Sequence, residues 1–274
     1  MKTIIAAVDF SANAENAANY AADMAAQSGH QLLLAHVCTF PLSVTEMPVV
    51  FYNMEDLVED ARQQLEKLRD ALLTRTNGRI SISTVVKQGD IVGELRDCCF
   101  ENNTYAIVMG REEMGAFERF LIGSRTVTGI RQMPCPVVAV PPGASFRGIR
   151  NIGIACDFRD VIETLPVPEI KQLVKEMNAR LHVLHVSEVA GDALDAKTIE
   201  ESGWFQDLLG DLHPQYHFIK ETNTDKAIIE FADKQQLDLL IVVPKQHGLL
   251  SKIVQHSHSR QLVLHAHVPV LAIH

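Results

Sequence analysis

The chain has 274 residues, 47% of them hydrophobic and 22% charged, with a formal net charge of −9. That length holds one large domain or two of average size. An acidic balance without a basic block argues against nucleic acid, whose phosphates need clustered Lys and Arg. No apolar run approaches the ~20 residues that span a bilayer. Asp9 interrupts the short apolar start "MKTIIAAVDFS", so neither a membrane anchor nor an export signal is expected, and the expected location is the cytoplasm. The five cysteines Cys38, Cys98, Cys99, Cys135 and Cys156 have no C-x-x-C spacing, which predicts reduced thiols. Cys38, Cys135 and Cys156 lie in or beside apolar runs and read as small core residues.

The first predicted element is "TIIAAVDF", from Thr3 to Phe10. Its near-continuous apolar character is that of a strand buried on both faces, as in a parallel sheet, and the strand is read as ending at Asp9. Ser11 is placed to cap a helix whose Ala14, Ala17, Ala18, Ala21 and Ala25 form one small-residue face, with Gly29 as its stop. "QLLLAHV" (31–37) is the second strand. Residues 54–73 carry Leu57, Ala61, Leu65, Leu68 and Leu72 at helical spacing. "ISISTVVK" (80–87) alternates and is β-branched, a strand with one weaker face. A helix over 92–102, a strand "YAIVMG" (105–110), a helix from Ser124 to Gln132 and a strand "PVVAV" (136–140) complete the set. The alternation predicts an α/β domain: an open five-stranded parallel sheet, order 3-2-1-4-5, with helices on both faces.

The second half repeats the first. "TIIAAVDFS" is echoed by "NIGIACDFR" (151–159), "QLLLAHV" by "RLHVLHV" (180–186), "YAIVMG" by "LLIVVP" (239–244), and "CPVVAV" by "VPVLAI" (268–273). Four pairs in the same order indicate tandem duplication. "PPGASFRGIR" (141–150) has the prolines and glycines of a linker, so domains are expected at 1–142 and 148–274. In the second, the counterpart of the 54–73 helix is weaker and falls on Ala196 to Gly210.

In such sheets a ligand lies beyond the carboxyl ends of the strands, where strand order reverses. Here that crevice is bounded by Asp9 and Gly110. The segment "GREEMGAFERFLIGS" (110–124) starts there. Its glycines let backbone N–H groups approach an anion, and a helix starting at Gly123-Ser124 would aim its positive end at the same place. Glu112 and Glu113 sit within the same loop.

With "AVDFS", "LLLAHV", "IVMG", the loop ending in "GS" and "CPVVAV" all in place, the chain resembles a tandem universal stress protein over nearly the whole of both halves. The resemblance implies flavodoxin-like, Rossmann-like domains and, in one branch of the family, ATP or AMP binding with Mg²⁺. That branch carries a loop of glycine, two residues, glycine, nine residues, glycine, then Ser or Thr. Gly110, Gly123 and Ser124 match it; Glu113 stands where the second glycine belongs. By resemblance, Asp9 and the backbone of Val37 would contact the nucleoside, and Gly110, Gly123 and Ser124 would surround the phosphates. A carboxylate ~4 Å from a phosphate charge is repelled by roughly 1–4 kcal/mol between bulk water and an effective dielectric near 20. Arg111, Arg119 and Arg125 are placed to offset this. In the second domain Asp157 and Val186 are kept. Pro244-Lys245-Gln246-His247 replaces the first half of the loop, and the expected glycines fall on His247 and Ser257, so no cofactor is expected there.

Other chemistry finds less support. His247, His256, His258, His265, His267 and His274 crowd the second domain. A helix would turn His256 and His258 about 200° apart, and no metal site is expected. Ser11 and Ser124 lack a G-x-S-x-G elbow and each has a capping role. Adjacent Glu112 and Glu113 do not aim at one centre as an acid–base pair. The resemblance also implies pairing through fifth strands. Within one chain, "CPVVAV" and "VPVLAI" would then form an intrachain pseudo-dimer, with further homo-oligomers and a protein client. Three functions stay open at this point: a non-catalytic stress-response protein binding an adenine nucleotide in domain one, an interaction module binding none, and a slow ATP hydrolase.

Overall fold

The computed structural model describes residues 1–39, 53–111, 133–155, 165–187, 203, 206–243 and 258–273. The expected helix from Ser124 to Gln132, most of the one from Ala196 to Gly210, and Cys156 lie outside the described residues. The chain divides into two compact units, Met1–Phe146 and Arg147–His274.

Unit one contains β1 (Thr3–Ala7), α1 (Ala12–Ser28), β2 (Gln31–Cys38), α2 (Met54–Arg75), β3 (Ile82–Gln88), α3 (Ile91–Glu101), β4 (Thr104–Gly110) and β5 (Val137–Val140). Its strands run in the order β3-β2-β1-β4-β5 and every pair is parallel. Ile4, Ile5, Leu32, Leu34, Ile107 and Val108 are all 0% exposed, which is why the central strands read as unbroken apolar runs.

The helices follow from local chemistry. Ser11 caps α1 by accepting from the Ala14 N–H, and Gly29 closes it at φ 70°, in the left-handed region. The alanine face is buried as its spacing requires, and Tyr20 and Met24 widen it. Asn53 caps α2 and Asp90 caps α3. Leu65 and Leu72 of α2 are buried against the sheet; each contributes about 2 kcal/mol through the water it sheds. The segment after β5 packs on α1. Asn16 Nδ2 donates to the carbonyls of Pro141 at 3.4 Å and Ala144 at 3.1 Å, and the Phe146 ring meets Tyr20 edge-on.

Most boundaries lie within two residues of the sequence expectation; the one at the end of β1 bears on the site. β1 ends at Ala7, two residues before Asp9. Phe10 has φ 63°, a left-handed conformation that a strand cannot contain. Asp9 Oδ1 accepts from the Ser11 N–H at 3.1 Å and the Ser11 hydroxyl at 2.6 Å. Such side-chain-to-backbone turns compete with a continuing ladder.

Unit two contains β6 (Asn151–Ala155), α4 (Val167–Met177), β7 (Arg180–Ser187), β8 (Gln215–Lys220), α5 (Thr224–Lys234), β9 (Leu239–Val242), α6 (His258–His265) and β10 (Val270–Ala272), with a short 3₁₀ turn at Gly210–Leu212. Its order, β8-β7-β6-β9-β10, repeats that of unit one, and its pairs are parallel. Asp238 anchors the first strand by accepting from the N–H groups of Arg150 and Asn151 at 2.8 and 2.9 Å.

Beneath α5 the two units differ. In the repeat, His182 of β7 takes the place of Leu33 in β2. Ala35 stands opposite Val85 and Leu184 opposite His217, so His217 takes the place of Val85. His182 Nδ1 lies 3.1 Å from His217 Nε2, and Phe231 of α5 covers both rings. His182 is 5% exposed, and its Nε2 has no hydrogen-bond partner among the described residues. Burial, then the neighbouring His217 and Arg180, lowers the pKa of His182; burial lowers that of His217. Each therefore stays neutral in the folded chain at a pH where the unfolded chain takes up protons. That contribution to stability is present above the unfolded value of about 6.5 and is lost as pH falls below it. The urea midpoint followed by fluorescence of Trp204, the one tryptophan of the chain, is expected to be lower at about pH 5.5 than at about pH 7.5. In His182→Leu/His217→Val, which restores the unit-one pair, this difference should shrink. An unchanged pH dependence in the double variant would assign the effect to other groups.

Candidate functional site

A cleft opens at the carboxyl ends of β1 and β4 in unit one, enclosing about 510 Å³ of space continuous with solvent. Val37 from β2 with Ile91 and Leu95 from α3 make an apolar wall. Ala7, Ala14 and Gly110 make a floor of small residues, and Asp9 with Ser11 stands at the rim. The structure thus brings together Asp9, Val37 and Gly110. Gly123 and Ser124 lie outside the described residues, as do Glu112 and Glu113, so the phosphate half of the expected site is not described. Arg111 is described; Arg119 and Arg125 are not.

Gly110 has a structural cause. A β-carbon there would lie 2.4 Å from the Asn13 carbonyl oxygen and 2.8 Å from the Ala14 nitrogen, both backbone atoms of the first turn of α1. The bare α-carbon lets the end of β4 pass against that turn, which brings the positive end of α1 to the cleft.

Val37 is set up by ladder parity. In β2 the odd residues face β1: the Gln31 N–H donates to the Lys2 carbonyl, and the Ala35 carbonyl accepts from the Val8 N–H. The even residues face β3, as the Leu32 N–H bond to Ser81 and the Gly89 N–H bond to the Cys38 carbonyl show. The N–H and C=O of Val37 therefore point past the end of β1. A continuing ladder would give the Val8 carbonyl to the Val37 N–H. The His36 side chain accepts that role instead, with Nδ1 2.7 Å from the Val8 oxygen, so this nitrogen carries the hydrogen. Phe10 packs its ring on His36 with centroids 4.6 Å apart. Among the described residues, neither the Val37 N–H nor its C=O is used, and an adjacent donor and acceptor face the cleft.

Asp9 is half engaged. Its Oδ1 holds Ser11, while nothing among the described residues bonds to Oδ2. Ser11 is committed as well: its hydroxyl donates to Asp9 and accepts from the Ala14 N–H at 3.2 Å. This arrangement offers a carboxylate oxygen for hydroxyl donors, an amide-like edge for a heterocycle, and an apolar wall for a flat ring.

Sequence reasoning did not single out Ile91 and Leu95. The signal was available: apolar residues in the first turns of the helix after strand three face the same crevice. In unit two, Val186 lies near the end of β7, while Asp157, Pro244, His247, His256 and Ser257 are outside the described residues. Among the described residues no group of three or more His, Cys, Asp or Glu is arranged to hold a metal, and no helix is long and apolar enough to cross a membrane. His267 Nδ1 instead lies 3.0 Å from Asp233 Oδ2 at the surface.

Gly110→Ala should destabilise unit one by about 1–3 kcal/mol, the usual cost of forcing atoms into a filled space. Urea denaturation followed by far-UV circular dichroism checks this. A variant as stable as the wild type would show that α1 can retreat freely.

Two comparisons bear on identity. The family model described as "Universal stress protein family" matches residues 1–141 and 149–274. The crystal structure of a universal stress protein from Archaeoglobus fulgidus DSM 4304 superposes with a TM-score of 0.73 at 19% identity, covering 98% of this chain and 97% of that one. A functionally unknown protein from Pseudomonas aeruginosa PAO1 superposes at 0.63 with 15% identity, covering 100% and 92%. Identities this low show the shared fold. No curated protein sequence matches the chain.

Proposed function

The chain belongs to the universal stress protein family, and from that premise we propose that unit one binds an adenine nucleotide, ATP or AMP, in the cleft between β1 and β4. In this reading the protein is a cytoplasmic stress-response protein that senses or stores the nucleotide without turning it over. The observation that carries the reading is the open backbone edge of Val37 beside an apolar wall. An adenine ring presents an amino donor next to a ring-nitrogen acceptor, the complement of a free C=O and N–H. The ribose hydroxyls are donors suited to Asp9 Oδ2, a charge-assisted bond worth about 1.5–3 kcal/mol.

The phosphates would fall toward Gly110 and the loop that runs to Gly123 and Ser124, with Mg²⁺ screening their charge from Glu113. Non-catalytic binding is supported by Ser11, whose hydroxyl is held between Asp9 and the α1 backbone. In unit two Pro244, and His247 and Ser257 at the positions where the loop expects glycine, support a partner that holds no nucleotide. Pro244 removes an N–H where an anion would need one.

Glu113 favours a second reading, an interaction module with no nucleotide in either unit. Calorimetric titration with ATP and Mg²⁺ separates the two. Wild type should bind, Glu113→Gly should bind several-fold tighter, and Asp9→Ala should bind about tenfold weaker or worse, from the lost charged hydrogen bond. Heat and thermal shift absent from both wild type and Glu113→Gly would end the nucleotide reading. Binding confined to Glu113→Gly would establish the interaction module.

A further inference from the structure

At the other end of the unit-one sheet from the cleft, two cysteines far apart in sequence meet. Cys99 lies in the last turn of α3 and Cys135 two residues before β5. Their sulfurs are 3.0 Å apart, and both side chains are buried, at 5% and 7% exposure. A disulfide needs the sulfurs at about 2.05 Å, so closure asks for about 1 Å of movement.

We propose that Cys99 and Cys135 form an oxidation site, at which a hydroperoxide converts the thiol pair into an intrachain disulfide joining α3 to the start of β5. The proposal is independent of nucleotide binding.

The two sulfurs are not equivalent. Either sulfur can donate to the other at this distance; with the Cys135 thiol as donor, the bond holds Cys99 below the ordinary thiol range and, with burial, Cys135 above it. The hydroxyl of Thr104, the first residue of β4, donates to the Cys99 carbonyl at 3.2 Å and steadies that turn. With Cys135 as the donor, Cys99 is the nucleophile, and dimedone capture of Cys99 tests that order. Its thiolate attacks one peroxide oxygen, the O–O bond breaks, and hydroxide leaves, giving a sulfenic acid. The Cys135 sulfur then attacks Cys99 Sγ, the S–O bond breaks, and the hydroxide released takes the Cys135 proton as water. In sum, two thiols are oxidised to one disulfide and one hydroperoxide is reduced, giving two waters when it is hydrogen peroxide. Burial keeps bulky thiols away and makes the reaction wait on fraying of the last turn of α3. Cys98 is also buried, but it occupies the neighbouring position of α3, turned about 100° around the helix from Cys99.

The test uses the full chain, reduced and then treated with hydrogen peroxide in its native state. Remaining thiols are alkylated and the protein is digested without reductant. The expected result is a linked pair of peptides carrying Cys99 and Cys135, with the intact mass lower by two hydrogens and restored by dithiothreitol. Cys98→Ala should keep the link. Cys135→Ala should lose it and leave a Cys99 sulfenic acid captured by dimedone. Wild type alone decides if a variant fails to fold. No link in folded wild type, a link through Cys38, Cys98 or Cys156, or the same mixture of links from urea-unfolded chain would each overturn the proposal.

Discussion

The cleft of unit one depends on one backbone-to-backbone contact, between the last residue of β4 and the first turn of α1. In a parallel sheet the central strands leave no room for a side chain where a helix starts directly above a strand end. Gly110 resolves this by having none. An added β-carbon would stand within 2.8 Å of three backbone atoms of Asn13 and Ala14, none of which can rotate away as a side-chain tip could. Gly110 is therefore explained by packing before any ligand is considered. The same contact fixes where the positive end of α1 points, so packing and ligand chemistry make one demand at this position.

A second constraint shapes the rim. A strand that stops leaves its neighbour with unused backbone groups, which must find water, a side chain or a ligand. At the end of β1, His36 takes the Val8 carbonyl, and Asp9 and Ser11 bond to each other. Phe10 bridges them in a left-handed conformation. For a non-glycine residue such a conformation costs about 1–3 kcal/mol, and it concentrates at sites where the chain must present particular groups. What remains unused among the described residues is the edge of Val37 and one oxygen of Asp9. The strain at Phe10 thus has a local consequence: it turns the chain away before the ladder can consume that edge.

Much of this was legible in the residues. Continuous apolar runs named the parallel strands, the repeat named two related units, and Ser11, Gly29 and the alanine stripe placed α1 to the residue. Asp9 and Gly110 follow from topology, because strand ends in a doubly wound sheet are where ligands meet protein; Val37 came from the family resemblance alone. The end of β1 was not legible, since nothing in "AAVDFS" announces that Phe10 will adopt positive φ. Ile91 and Leu95 were legible in principle, as apolar residues in the first turns of the helix after strand three, but nothing local to them separates a cleft wall from ordinary core. The Cys99–Cys135 contact was invisible for a deeper reason. It joins residues separated by a long stretch of chain, and only the pairing of β4 with β5 brings them together.

The two units show how a duplicated fold can diverge while its topology holds. Strand order and parallel pairing are set by apolar runs and crossover handedness, which many sequences satisfy. The layer between sheet and helix is less constrained in kind. Leu33 and Val85 fill it in one unit, and His182 and His217 fill the same place in the other. The imidazole pair keeps the volume but adds polar atoms, one of them without a hydrogen bond among the described residues, at a cost of roughly 1–3 kcal/mol for a buried unmet group. In unit one α3 stands on an apolar layer, which holds the wall formed by Ile91 and Leu95 in place. In unit two the layer beneath α5 is less stable and sensitive to protonation.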